Sequence, residues 1–218
     1  MEWAIQFKLL SETIFGSGES IPGSVDLEVV HDDYGLPYFK GKTLKGRLRE
    51  EVENIIDKMK KIIPNQIEYD TYVYRLFGKA GDNLHNGLKI SDATLGSSIK
   101  NGIRYGIESG LFTKEEVLQS LTEIRSFTSV NEKGVARKRS LRNLRVIKKG
   151  YIFYSQLYLE RELEEQELEL LAAGISSLRH IGTMVSKGKG SIEARLFCNG
   201  KDVTEKYVNS FIERMNKA

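Results

Sequence analysis

Cysteine occurs once, as Cys198, so no internal disulfide can form and no four-cysteine zinc site can be assembled. Only three prolines are present, and Ser/Pro or Gln/Asn tracts are absent, which argues against long disordered arms in the 218 residues. No run approaches the roughly 18 apolar residues that a membrane-spanning helix needs. The start, Met1-Glu2-Trp3-Ala4-Ile5, has neither the basic nor the apolar region of a secretory signal. Together these absences predict a cytoplasmic protein with no membrane partner. Histidine is equally scarce, at His31, His85 and His180, with no spacing that suggests a metal pair. His31 beside Asp32 and Asp33 reads as turn structure, and His180, late in an apolar stretch, as a core or interface residue.

What is there is enough for a real core: 40% of the chain is hydrophobic, and the length suits one domain over 1–218 that carries insertions. The formal charge of +3 says little, but its distribution says more. From Glu132 to Lys149 the chain carries eight Lys or Arg and one acid, so this segment is +7 and leaves −4 for the rest. A local concentration of that kind makes an anion-binding surface without making the whole protein basic. The same run would also serve as a solvated loop.

Residues 3–9 alternate, with Trp3, Ile5, Phe7 and Leu9 on one face, as in a half-buried strand. A glycine-rich connection over 15–23 follows. Val25, Leu27 and Val29 then mark a second strand whose other face carries Asp26 and Glu28. From Thr43, as N-cap, Leu44, Leu48, Val52, Ile55, Ile56, Met59 and Ile63 recur at helical spacing. Residues 64–110 read as an irregular insertion. Thr113 and Glu116 fit a capping box that opens a short helix through Leu121. A strand over 151–159, a helix from about Glu160 to Ile181, and a closing strand from Ser191 to Phe197 complete the order. Such interleaving predicts an α+β fold, a ferredoxin-like (RRM-like) split βαβ sheet with its helices on one face.

Gly41-Lys42-Thr43 at a helix start is not a nucleotide-binding loop, because Leu36 stands where the first glycine of that motif is required. A helix start still favours an anion, and Lys42 and Lys45 stand beside it. Ser186-Lys187-Gly188-Lys189-Gly190 is a second loop of this type; its glycines let a phosphodiester approach and its lysines neutralise it. With the basic segment, which includes Arg137, Lys138, Arg139 and Arg142, these loops point to one extended polyanion. Asp26 follows the glycine loop. It is either an exposed strand residue or a lone carboxylate that holds a divalent cation or aligns a ribose hydroxyl.

Several blocks carry a resemblance: Gly16-Ser17-Gly18, Gly23-Ser24-Val25-Asp26, and Gly35-Leu36-Pro37-Tyr38 through Leu44-Lys45-Gly46-Arg47-Leu48-Arg49. With Leu76-Phe77-Gly78, Ser91-Asp92-Ala93, Gly134-Val135-Ala136, Ser140-Leu141-Arg142 and Ser186 to Gly190, in that order, the chain resembles the RAMP superfamily of CRISPR effector proteins. Within that superfamily it is most similar to the repeated backbone subunit of type III interference complexes. The resemblance implies a ferredoxin-like palm with inserted subdomains and a basic thumb over about 127–147. It also implies partners: a guide CRISPR RNA, a complementary target RNA, further copies of the chain and other subunits. Asp26 would be the catalytic aspartate and metal ligand, with Mg²⁺ or another divalent cation supporting attack by the ribose 2′-hydroxyl. Lys42, Thr43, Lys45 and Arg49 match the block that carries guide-backbone contacts. The guide 5′-end capping subunit shares these glycine loops and is the alternative, as is a subunit that only binds RNA. Where the family has Pro-Gly-Ser-Ser before the helix, this chain has Lys40-Gly41-Lys42-Thr43.

Overall fold

The computed structural model describes residues 1–62, 68–78, 87–128, 132, 135, 137 and 140–217. The chain runs β1 (Trp3–Leu9), α1 (Gly41–Ile62), α2 (Glu68–Phe77), β2 (Lys89–Ile90), β3 (Thr94–Leu95), α3 (Ser97–Glu108), α4 (Lys114–Leu121), β4 (Thr122–Phe127), β5 (Arg142–Ile147), β6 (Ile152–Tyr158), α5 (Glu165–Ser177), β7 (Ile192–Cys198), β8 (Lys201–Asp202) and α6 (Thr204–Lys217). Main-sheet strands lie in the order β2-β6-β1-β7-β8, with β3 also on β6, and every pairing is antiparallel. β4 and β5 form a separate two-stranded antiparallel sheet. The fold is therefore mixed α and β with antiparallel sheets.

β1 occupies the centre because its alternation is clean: Trp3, Ile5, Phe7 and Leu9 are buried, while Lys8 is exposed. Phe7 stacks on Phe153 of β6, and Phe15 and Phe39 close the cluster from the loops. The stripe Leu44, Leu48, Val52 and Ile56 brings α1 onto the same core, as the helical spacing requires. α1 and α5 meet at Gly174, where a Cβ would lie 2.4 Å from Val52. Among the described residues, no helix is long and apolar enough to cross a membrane.

Several expectations change. α1 starts at Gly41, not Thr43, because the Gly41 N–H donates to the Asp92 carboxylate at 2.7 Å; Thr43 sits in the first turn instead of capping it. Ile63 and His85 lie outside the described residues. The stretch read as irregular over 64–110 holds α2 and α3. Val25 to Val29 form no regular strand and make only single bridges, to Ile21, Leu144 and Gly16. The capping box of Thr113 and Glu116 is present. α5 is shorter than the apolar stretch suggested, and His180 lies beyond it, exposed. α6 has no counterpart in the sequence reading.

Glu167, buried in the first turn of α5, is pushed up by burial. Hydrogen bonds from both Arg161 end nitrogens (2.6 and 2.5 Å) and the Glu164 N–H, with the charges of Arg161 and Arg75, outweigh this and hold it below the usual carboxylate range. Asp202 is lowered too: its bonds from Thr204 and the nearby Arg195 outweigh burial. A carboxylate lowered on folding stabilises fully above its unfolded value, 4.5 for Glu167 and 3.8 for Asp202, and that stability is lost as pH falls through the folded value. Thermal melting at stepwise lower pH should thus show a falling midpoint below about pH 4.5. Glu167→Gln should lose about 2 kcal/mol at neutral pH and show a shallower acid decline.

Candidate functional site

Asp26 lies on an extended segment that runs alongside β5. Its N–H donates to the Asn143 carbonyl at 2.7 Å, and its Oδ2 accepts the Asn143 N–H at 2.7 Å. Leu27 then bridges Leu144 in parallel register, and the Arg145 N–H donates to the Leu27 carbonyl at 3.1 Å. Asp26 itself is exposed. Glu28, expected on the same open face, is instead 5% exposed and paired with Arg145 at 2.7 Å.

An open cleft of about 660 Å³ lies beside this segment, lined by Asp26, Phe127, Arg137, Arg142, Met184 and Lys187 among others. Four residues singled out from sequence thus converge: one carboxylate and three cations, drawn from the loop after the glycine-rich connection, the basic segment and the second glycine loop. Arg137, Arg142 and Lys187 line the cleft, and none of them is in a described ion pair. Lys138 and Arg139 lie outside the described residues. Arg145, counted in the basic run, is taken up by Glu28.

At the start of α1, Lys42 and Thr43 are exposed. The phosphate expected on the first N–H meets competition, because Asp92 already holds Gly41 there. Lys45 is half-buried, and burial, then the charges of Arg49 and Lys89, pull its ammonium below the ordinary lysine value. An incoming anion would relieve that repulsion. Arg49 is also held by Glu53 at 2.7 Å, and Lys89 by Glu160 at 2.5 Å. Thr43 lines a small cavity of about 150 Å³ with Lys40, Arg47, Gly182 and Thr183. The loop from Gly182 to Lys187 therefore contributes to both this cavity and the Asp26 cleft.

Within the second glycine loop the roles separate. Lys187 is exposed, with its Nζ 5.7 Å from the Phe127 ring centroid. Lys189 also faces Phe127 but is neutralised by Glu12. Glu12 is held below the usual carboxylate range by its hydrogen bond from Arg125, which with Lys189 outweighs burial. Gly188 has positive φ and open space around it. Gly190 has positive φ and no room, since a Cβ would lie 2.0 Å from the Ile181 carbonyl oxygen. The glycine at 190 serves close backbone packing, whereas the one at 188 leaves an open approach.

Sequence reasoning missed Asn143, Phe127 and Met184. Asn143 is uncharged and lies on the hairpin, so only the fold reveals that it holds Asp26. Met184 adopts a left-handed conformation, φ 62°, before the turn Val185–Lys187. As for a metal, no three His, Cys, Asp or Glu side chains gather among the described residues. Asp26 is the one acid lining the cleft among the described residues. A single hard oxygen donor fits Mg²⁺, which binds through one or two carboxylates and keeps waters and phosphate oxygens as its other ligands.

A search of curated proteins finds no match. Among solved structures, a chain from the cryo-EM structure of type III-B Cmr-beta in its apo state is similar, with a TM-score of 0.60 and 15% identity. The alignment covers 92% of this chain and 99% of that one. A chain from type III-B Cmr-beta bound to cognate target RNA gives a TM-score of 0.60 at 14% identity, covering 95% and 99%. At these identities the likeness is one of fold. The family model described as the RAMP superfamily matches residues 6–193, a span that runs from β1 through both glycine loops and the Asp26 cleft into β7. The chain belongs to the RAMP superfamily.

Proposed function

We propose that the protein is a backbone subunit of a cytoplasmic type III CRISPR ribonucleoprotein. In this reading it binds guide RNA, stacks with further copies of itself and other subunits, and cleaves complementary target RNA only within the assembled complex. The observation that carries the proposal is the cleft in which Asp26 meets Arg137, Arg142 and Lys187. The strand order β7-β1-β6-β2, with α1 following β1 and α5 following β6, supports a ferredoxin-like palm. The β4–β5 hairpin, whose second strand carries Arg142 and Arg145 of the basic segment, supports the thumb. The target RNA bound to type III-B Cmr-beta belongs to that complex, but it agrees with the choice of polyanion.

Arg137, Arg142 and Lys187 would hold phosphates on either side of the reacting one, and fixing both flanks orients the ribose hydroxyl. Asp26 would hold Mg²⁺, whose charge, when bound, stabilises negative charge building on the phosphate. The Asn143 N–H keeps one Asp26 oxygen in place and leaves the other available to the cleft. That same bond also gives Asp26 a purely structural reason to exist. It favours a second reading, a non-catalytic or guide 5′-end capping subunit of the same kind of complex.

Reconstitution with guide RNA, complementary RNA and Mg²⁺ tests the proposal. Regularly spaced cuts that stop on chelation support the backbone enzyme, and intact assembly without cuts leaves the second reading. Replacing Arg137, Arg142 and Lys187 together by alanine should reduce the salt dependence of RNA binding, flattening the slope of log K against log salt by about 2. An unchanged slope would remove these three from the interface.

A further inference from the structure

Asp26 owes its place to no regular strand. The contacts that fix its backbone run on one side to the glycine-rich connection, at Ser17, Glu19 and Ile21, and on the other to β5 of the hairpin, at Asn143, Leu144 and Arg145. The anchor of that seam is Glu28. Its carboxylate accepts from Arg145 Nε at 3.0 Å and from the Val29 N–H at 2.9 Å, while its backbone N–H donates to the Glu19 carbonyl and its own carbonyl accepts from the Ser17 N–H. Arg145 continues to the Thr122 hydroxyl at 3.2 Å, and that hydroxyl donates to the Leu118 carbonyl at the end of α4. Two residues upstream, Asn143 brackets Asp26. Its side chain accepts from Ser126 at 2.8 Å and donates to the Ser24 carbonyl at 3.3 Å. Glycine loop, Asp26 segment and hairpin thus meet at Glu28 and Asn143.

We propose that the buried Glu28–Arg145 pair, acting through Asn143, is the positioning device for Asp26. It locks the register of residues 24–28 on β5, so that the Asp26 carboxylate stays on the cleft rim opposite Arg142 and Lys187. The proposal rests on the reading of Asp26 as the catalytic group. Cleavage depends on placement at the scale of an ångström, and misplacement of that size costs about 100-fold. Loss of the pair loosens the segment while the main sheet, whose strands contribute nothing to this seam, stays intact. Glu28 and Arg145 touch neither RNA nor metal in this role, and Arg145 is removed from the set of phosphate ligands.

The experiment compares Glu28→Ala and Glu28→Gln with wild type and Asp26→Ala in the reconstituted complex. It reads single-turnover cleavage, guide affinity, the Mg²⁺ concentration for half-maximal rate, and amide exchange at Asn143 and Arg145 in the isolated chain. Glu28→Ala should cut about 100-fold more slowly, need more Mg²⁺ and exchange faster at those two amides, with guide affinity within about 2-fold of wild type. Glu28→Gln keeps an oxygen for Arg145 and Val29 and should recover most of the rate. Full activity in Glu28→Ala, where Asp26→Ala is inactive, overturns the positioning role and leaves the catalytic reading standing. Cuts that persist in Asp26→Ala overturn both. Equal loss of cleavage and guide binding in both Glu28 variants marks a general folding defect and also overturns it.

Discussion

Asp26→Ala should lower target cleavage by the reconstituted complex on the order of 10²–10⁴-fold, and it should slightly tighten the complex's hold on RNA. The second half of that expectation has a distinctive sign. Among the described residues Asp26 is the one acid lining the cleft, beside Arg137, Arg142 and Lys187, so its charge opposes a polyanion even where, as proposed, it serves the reaction. Asp26→Asn separates the contributions. The amide keeps an oxygen that can accept the Asn143 N–H, so the segment stays in register while the charge is gone. If Asp26→Asn is as inactive as Asp26→Ala, the charge is what matters. If both keep cutting, the chemistry lies elsewhere and the protein is an RNA-binding subunit only.

Gly190→Ala should destabilise the fold by about 3 kcal/mol or more, lowering the melting midpoint by about 10 °C for a chain of this size. Two effects add. Gly190 has φ +77°, which alanine adopts with strain, and its Cβ would sit 2.0 Å from the backbone oxygen of Ile181. That oxygen cannot move freely, because Gly190 and Ile181 are themselves hydrogen-bonded at 2.9 Å and the Gly190 N–H donates to the Glu12 carbonyl. Gly188→Ala is the control: φ +74° but open space, so a cost of about 1 kcal/mol is expected. RNA affinity should respond in the opposite order. A methyl group at 188 stands on the open approach next to Lys187, whereas one at 190 acts only through stability. Equal destabilisation by the two substitutions would contradict this division of the loop.

Much of this was legible in the residues. Alternation in β1, the apolar stripe of α1 and the Thr113 capping box are local patterns, and local patterns survive into structure. The convergence of Asp26 with Arg137, Arg142 and Lys187 was visible only as separate motifs, since their meeting depends on a hairpin folding beside the glycine-rich loop. What could not be read were pairings across long stretches of chain. Asp92 moves the start of α1 to Gly41, Glu12 neutralises Lys189, and Glu28 removes Arg145 from the free cations. A charge count treats every lysine and arginine alike, whereas burial beside a carboxylate decides which remain available to an anion. α2 and α3 were hidden for a different reason. α2 is only ten residues long and rich in Tyr and Phe, which favour strands, and in α3 the four-residue spacing of Ile99, Ile103 and Ile107 is interrupted by Gly102 and Gly106, which read as breakers.

The placement of β1 has a consequence for how the chain is made. Its two neighbours, β6 and β7, lie far along the sequence, and among the described residues no earlier strand pairs with it. As the chain leaves the ribosome, Trp3, Ile5, Phe7 and Leu9 must wait unpaired until β6 and β7 have been synthesised. Contacts so distant make folding slow and keep an apolar strand exposed in the meantime. On the proposed function, guide RNA bridging the hairpin and the α1 end would do more than direct recognition. It would favour the closed sheet over a nascent chain with a bare central strand, coupling assembly of the particle to completion of each subunit.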